Sequence, residues 1–180
     1  MTFIGIDLGT SSLKAILINE DQTVLAEHFE PLSVERLHDG WSEQDPQSWC
    51  DAAKTALEKL AAHPDSNAIR GIGLSGHMHG ATFVGADGHA LRPCMLCNDV
   101  RSFAEAARMD ADPHFRDISG NIVFPGFTAP KVEWVRRNEP DVFDATAKIL
   151  LPKDYLRLYL TGDCVSDMSE AAGTAWLDPG

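Results

Sequence analysis

The sequence predicts an α/β domain on a mixed sheet that opens with a three-stranded antiparallel meander. Two observations carry this. Three short apolar runs, Phe3–Leu8, Leu13–Ile18 and Thr23–Phe29, are separated by the turn-forming stretches Gly9–Ser12 and Asn19–Gln22. Downstream, further strand-like runs alternate with stretches of helical periodicity. A chain of 180 residues, 44% of them hydrophobic, is long enough to bury one proper core.

After the meander, residues 30–44 read as a polar connection that carries Trp41. Asp45 then caps a helix with Pro46 at its first position, where the missing N–H costs nothing. Its buried stripe is Trp49, Ala53, Ala56, Leu57 and Leu60, and His63-Pro64 ends it. Strands are expected at Ile69–Ser75, Ala81–Val84 and Leu91–Cys97, with a turn at Ala86–Gly88. Helices are expected at Ser102–Met109, Pro130–Asn138, Pro140–Ala145 and Lys153–Thr161. Ile149–Leu151 fits a short strand or a helix edge equally well.

The turn after the first run carries the most chemistry. Asp7 stands at the mouth of the first strand, followed by Gly9, Thr10 and Ser11. Gly9 allows a close backbone approach, and the amides and hydroxyls of Thr10 and Ser11 suit phosphate oxygens. An acid beside a phosphate would repel it unless a cation lies between, most simply Mg²⁺ held directly or through water. The competing reading is an ordinary hairpin turn, since Asp and Gly are common turn residues.

Other motifs weigh less. Gly71-Ile72-Gly73-Leu74-Ser75-Gly76 matches the dinucleotide fingerprint by letters, but its glycines fall inside a strand and another strand follows, so a Rossmann site is rejected. His77 and His79, two apart on a strand, would share a face. Without further ligands at a useful spacing they suit one structural and one pocket-lining histidine better than a zinc pair. Cys94 and Cys97, three apart on a strand, would face opposite ways and read as core or pocket wall, with metal or redox chemistry the lesser option. Ser75–Thr82 and Asn98–Arg101 lie at strand exits, where α/β sheets place ligands. Amides, carboxylates and imidazoles there can bond vicinal hydroxyls, with Met78 or Trp41 as an apolar wall. Taken alone, Asp99 and Arg101 read as a surface ion pair.

The net charge of −12 and pI near 4.8 disfavour nucleic acid as a partner. No apolar run approaches the ~20 residues of a membrane helix, and the N-terminus enters a strand without a basic leader. Four cysteines without framework spacing suggest reduced thiols and a cytoplasmic location. The letters contain no Walker A loop. They leave the oligomeric state, a homodimer included, undecided.

The Asp7–Ser11 turn resembles the first phosphate loop of the sugar kinase, hexokinase, Hsp70 and actin superfamily, whose domains have an actin-like, ribonuclease H-like fold. In order along the chain, Gly5–Ser11, Trp41–Pro46, Gly76–Ala81, Ser119–Asn121, Gly126–Lys131, Leu151–Leu156 and Ser166–Thr174 resemble the FGGY family of carbohydrate kinases. Within it, Met78-His79-Gly80 and Phe127–Lys131 favour the members acting on D-xylulose over those acting on glycerol or ribulose. The resemblance implies ATP-dependent phosphorylation of D-xylulose to its 5-phosphate, with Asp7 at the Mg²⁺ and phosphate side and catalytically required. It implies Gly9, Thr10 and Ser11 facing phosphate, Met78 and His79 contacting sugar, and Asn98 and Asp99 near it.

There are departures. Cys97 stands where the family has Trp, Val100 where it has Gly, and Ser12 follows Thr10-Ser11 in place of the usual Gly. The first two alter the pocket wall and leave the exact sugar open. The family's general-base aspartate, in a Gly-Gly-x-Asp-Asn type segment, has no counterpart up to Gly180 and is expected beyond it. On this resemblance residues 1–180 are expected to be an incomplete N-terminal, sugar-binding domain, inactive alone, with the nucleotide-binding domain absent. A kinase for another ketose or polyol, or a non-catalytic sugar-binding or assembly fragment, are the competing readings.

Overall fold

Alternation of apolar and polar side chains shapes the start of the chain. In the first strand Thr2, Ile4, Ile6 and Leu8 are buried while Phe3 and Asp7 are exposed. The computed structural model describes residues 1–176. Gly180, the residue beyond which the general-base aspartate is expected, lies outside the described residues. In chain order these form β1 (Thr2–Leu8), β2 (Ser12–Asn19), β3 (Val24–Pro31), β4 (Glu43–Gln44), α1 (Pro46–Ala61), a 3₁₀ turn (Pro64–Ala68), β5 (Ile69–Gly76), β6 (Thr82–Val84) and β7 (Cys94–Met95). They continue with α2 (Phe103–Ala111), α3 (Pro113–Ser119), α4 (Thr128–Asn138), α5 (Pro140–Ala145), β8 (Lys148–Leu150), α6 (Pro152–Thr161) and α7 (Met168–Ala172). Among the described residues no helix is long and apolar enough to cross a membrane.

The chain divides into two units, each described by itself. The first comprises Met1–Val34 and Gln47–His77. Its sheet has the order β3-β2-β1-β5, with the three-stranded meander antiparallel and β5 parallel to β1. The sheet is therefore mixed, as the sequence predicts. Ile4, Ile6, Leu8, Leu13, Ala15 and Leu17 are buried, and α1 buries Trp49, Cys50, Ala53, Ala56 and Leu60 at helical spacing. Gly71 and Gly73 lie within β5, so no helix N-terminus follows them and the dinucleotide reading fails on geometry.

The second unit comprises Glu35–Pro46 and the chain from Met78 onward. It holds two small antiparallel ladders, β4 with β7 and β6 with β8. Ala81, Phe83, Met95 and Val135 form one apolar cluster, with Val132, Trp134, Val142, Phe143 and Ile149 against it. Ala106, Val123, Ala129 and Ala175 form a second, packed by Met109, Phe115 and Phe127.

Several elements differ from expectation. The strand expected over Leu91–Cys97 shrinks to Cys94–Met95, because Pro93 has no N–H to give a ladder. The Leu91 N–H instead donates to the Phe83 carbonyl at 2.8 Å and closes a hairpin. The polar connection over 30–44 contains β4, whose Glu43 and Gln44 are buried. Of residues 149–151, Ile149 and Leu150 fall in β8, while Leu151 is the N-cap of α6. Helices α3 and α7 have no counterpart in the expected set, although their caps are legible. Asp112 accepts from the His114 N–H and Gly120 closes α3 at φ 66°, while Asp167 accepts from the Glu170 N–H to start α7.

Candidate functional site

In the first unit, Asp7 lies directly across from Lys14 of β2 and Ser75 of β5. Cross-strand partners point the same way, so the three share one sheet face, opposite to Ile6 and Leu8. That face holds an open cavity of 480 Å³ lined by Gly5, Asp7, Lys14, Ile16, Gly73 and Ser75 among others. The Lys14 ammonium is 3.5 Å from Glu27 and 4.9 Å from the centre of the Phe29 ring. Sequence reasoning passed over Lys14. Its signal was the register of the meander, which sets an even-numbered residue of the second run opposite Asp7.

Beyond β1 the chain turns tightly. The Gly9 N–H donates to the Ser12 carbonyl at 3.0 Å, and a Cβ on Gly9 would stand 3.0 Å from that same oxygen. A side chain there would force this oxygen to give way by a few tenths of an ångström, so the turn favours glycine. The Ser11 carbonyl accepts from the Leu32 N–H at 2.9 Å, which fixes the loop carrying Thr10 and Ser11. Among the described residues no three His, Cys, Asp or Glu side chains cluster as metal ligands. A cation at Asp7 would take most of its ligands from phosphate and water. Mg²⁺ is commonly bound in that way, so the exposed single carboxylate fits it.

In the second unit, Met78 is 54% exposed, and His79 is a non-glycine residue in the left-handed region, at φ 63°. Because β5 ends at Gly76, His77 and His79 do not share a strand face as expected. His77 packs edge-on against Trp49 within the first unit, its ring centre 5.6 Å away. His79 lies against Phe127 at 4.8 Å, and a Cβ on Gly173 would overlap its ring. The His79 carbonyl accepts from Lys131 Nζ at 2.8 Å and from the Thr128 hydroxyl at 3.3 Å. Burial, reinforced by the Lys131 charge, holds the imidazole pKa below its ordinary value, which favours the neutral ring. Gly80 serves packing more than ligand approach, since a Cβ there would collide with Pro152 and Cys94. Burial pushes the Cys94 thiol up to about 11, which makes it an inert core residue.

Asn98 is exposed, whereas Asp99 is fully buried. Its carboxylate accepts from the Ser42 N–H at 2.7 Å and from Arg101 Nε and Nη2 at 2.9 and 2.6 Å. Arg101 also reaches Glu43 at 2.8 Å, and Arg92 joins Glu43 at 2.5 Å and Glu139 at 2.7 Å. The Asp99–Arg101 pair is therefore interior, not a surface pair as its sequence context suggested. The reason is the sharing of each charge among several partners, which offsets desolvation. Trp41 stacks on the Arg101 guanidinium at 3.5 Å and lies 4.5 Å from His38, so it walls this network. Of the four residues expected at the sugar, the structure brings Met78 and Asn98 to the surface, half-buries His79 and encloses Asp99.

The chain is similar to known proteins over nearly its whole length. A xyloylose kinase from Brucella ovis superposes with a TM-score of 0.96 at 59% identity, covering 99% of this chain and 38% of that one. The xylulose kinase from Rhodospirillum rubrum gives 0.92 at 32%, with the same coverage. Among curated sequences, the xylulose kinase of Klebsiella pneumoniae is 52% identical and that of Escherichia coli K12 is 50% identical. Each alignment covers 98% of this chain but only 37% of the relative's length. The fold is thus the actin-like, ribonuclease H-like α/β arrangement of sugar kinases. Residues 2–179 match the N-terminal domain of the FGGY family of carbohydrate kinases, and the chain belongs to that family.

Proposed function

We propose that the chain is the N-terminal, sugar-binding part of a xylulokinase, which transfers the γ-phosphoryl of ATP to O5 of D-xylulose. The observation that carries this reading is the match to xylulose kinases across 98% of the chain. The site chemistry agrees with it. Asp7 supplies the carboxylate that holds Mg²⁺ through its phosphate and water shell, and Mg²⁺ when bound neutralises charge on the transferring group. The amides and hydroxyls of Gly9–Ser11 line the phosphate oxygens, and Lys14 adds a positive charge on the same sheet face as Asp7. The neutral His79 ring bonds a sugar hydroxyl while Met78 covers the carbon backbone, and exposed Asn98 offers an amide nearby in sequence to the buried Asp99. The general base and the nucleotide domain are assigned beyond Gly180, to the remainder of a protein of the relatives' length, and the protein is placed in the cytoplasm.

A coupled ATP-consumption assay with D-xylulose, ribulose, glycerol and other polyols tests this on the intact protein and on residues 1–180. D-Xylulose should be the preferred acceptor of the intact protein, with residues 1–180 at background. Preference for another polyol would move the assignment within the family. Binding without turnover in both forms would leave a sugar-binding module. In the intact protein Asp7→Asn keeps shape but removes charge, and should lower kcat by about 10²-fold or more with sugar binding little changed. Near-normal turnover would return Asp7 to a turn former.

A further inference from the structure

Lys131 takes none of the roles assigned above, yet its placement is unusual. Its side chain is 0% exposed in the second turn of α4. Its hydrogen bonds go to two neutral carbonyls, those of His79 at 2.8 Å and Gly126 at 2.6 Å, rather than to a carboxylate. Thr128, at the first position of the same helix, donates to the same His79 carbonyl at 3.3 Å. The residue so gripped is the non-glycine His79 at φ 63°, a conformation that persists only where its surroundings enforce it.

The charged and titratable groups facing the ammonium are Cys94, Cys97, Asp99 and Arg101, together with the His79 ring. Burial outweighs the acids and pulls the lysine down to about 8. A methionine would fill the same space without desolvating a charge. What the ammonium adds is a grip on two backbone oxygens, one of them at the histidine of the candidate sugar turn.

We propose that Lys131 is a positioning residue for sugar recognition: with Thr128 it clamps the His79 carbonyl, holds that residue left-handed and so aims its imidazole. This rests on the reading of His79 as a sugar ligand. The clamp acts on the ground state, so its signature is in sugar affinity and not in ATP handling.

The test uses the intact protein with D-xylulose and ATP. Lys131→Met should raise the sugar KM about tenfold while leaving the ATP KM within about twofold. Thr128→Val should move it the same way by less, and Thr128→Ser should restore the wild-type value. Sugar affinity of the wild type should weaken as pH rises through about 8, a trend Lys131→Met should lack. In unliganded protein, the imidazole NMR signals of His79, assigned by their loss in His79→Gln, should shift in Lys131→Met. Unchanged sugar KM with unchanged His79 signals overturns the proposal, as does an equal loss in sugar KM, ATP KM and melting temperature. Should Lys131→Met not fold, a flat wild-type pH profile with Thr128→Val equal to wild type overturns it instead. A wild type that handles no ketose or polyol sinks the functional reading, and the His79 signals in Lys131→Met then still decide the clamp.

Discussion

The two histidines of the Gly76–Gly80 stretch differ in surroundings more than in sequence position. His79 lies under Phe127 and against Gly173, with a pKa held down by burial and by Lys131. On the proposed reading of His79 as a sugar ligand, removing its imidazole should leave a sugar hydroxyl unpaired, a loss of ~1–3 kcal/mol in binding. Calorimetry of His79→Ala with D-xylulose should show it, and equal affinity would take His79 out of the site. His77→Ala, which strips a ring from Trp49, should instead lower the melting temperature more than sugar affinity.

The same histidine links pH to folding. Its folded pKa lies below the ordinary value near 6.5, so an unfolded chain takes up a proton first as pH falls. Its contribution to stability is complete above that value and is lost in the acid range below it. Lys131 works in the opposite range. Between about 8 and the ordinary value of 10.5 the unfolded state binds more protons, so stability should rise with pH there. Thermal melts of wild type against Lys131→Met from neutral to alkaline pH should diverge in that window. Parallel curves would mean that the folded lysine titrates normally.

At the scale of elements, α7 is held by charge. Lys153 of α6 reaches Asp154 at 2.7 Å, Asp167 at 2.8 Å and Glu170 at 3.2 Å, and Asp167 caps α7. Gly173 follows directly and meets the His79 ring. Gly173→Ala should displace that ring, weakening sugar binding with a smaller change in stability; wild-type affinity in this variant would show that the turn yields freely. The elements legible in the sequence were those whose signal is local, the meander by alternation and α1 by its stripe. Element β4 was hidden because Glu43 and Gln44 look like solvent-exposed residues, and only the distant Arg92 and Arg101 make burying Glu43 tolerable. Helices α3 and α7 are short, so their apolar periodicity is weak, and Asp112-Pro113 and Asp167–Glu170 were the remaining signs.

For the molecule as a whole, fold class and family could be read from the order of motifs, and the enclosure of Asp99 could not. Adjacent letters Asn98 and Asp99 look equally polar, but one is exposed and the other carries no exposed surface. What separates them is the reach of Arg101 and Ser42, a matter of packing between segments 57 residues apart.

The order β3-β2-β1-β5 leaves two strand borders of contrasting character among the described residues. The β3 border carries Glu27, Glu30 and Pro31, which discourage further pairing. The β5 border, from Ile69 to Gly76, offers a single charge at Arg70 and an Ile72 that is 47% exposed. Handled as residues 1–180, the polypeptide should therefore be a salt-sensitive colloid. Its charge of −12 keeps copies apart in dilute buffer, and shrinking the Debye length from about 30 Å there to about 3 Å in molar salt removes that protection. Light scattering should rise with salt and fall again in Ile72→Lys, and scattering indifferent to both would show that this border is not sticky.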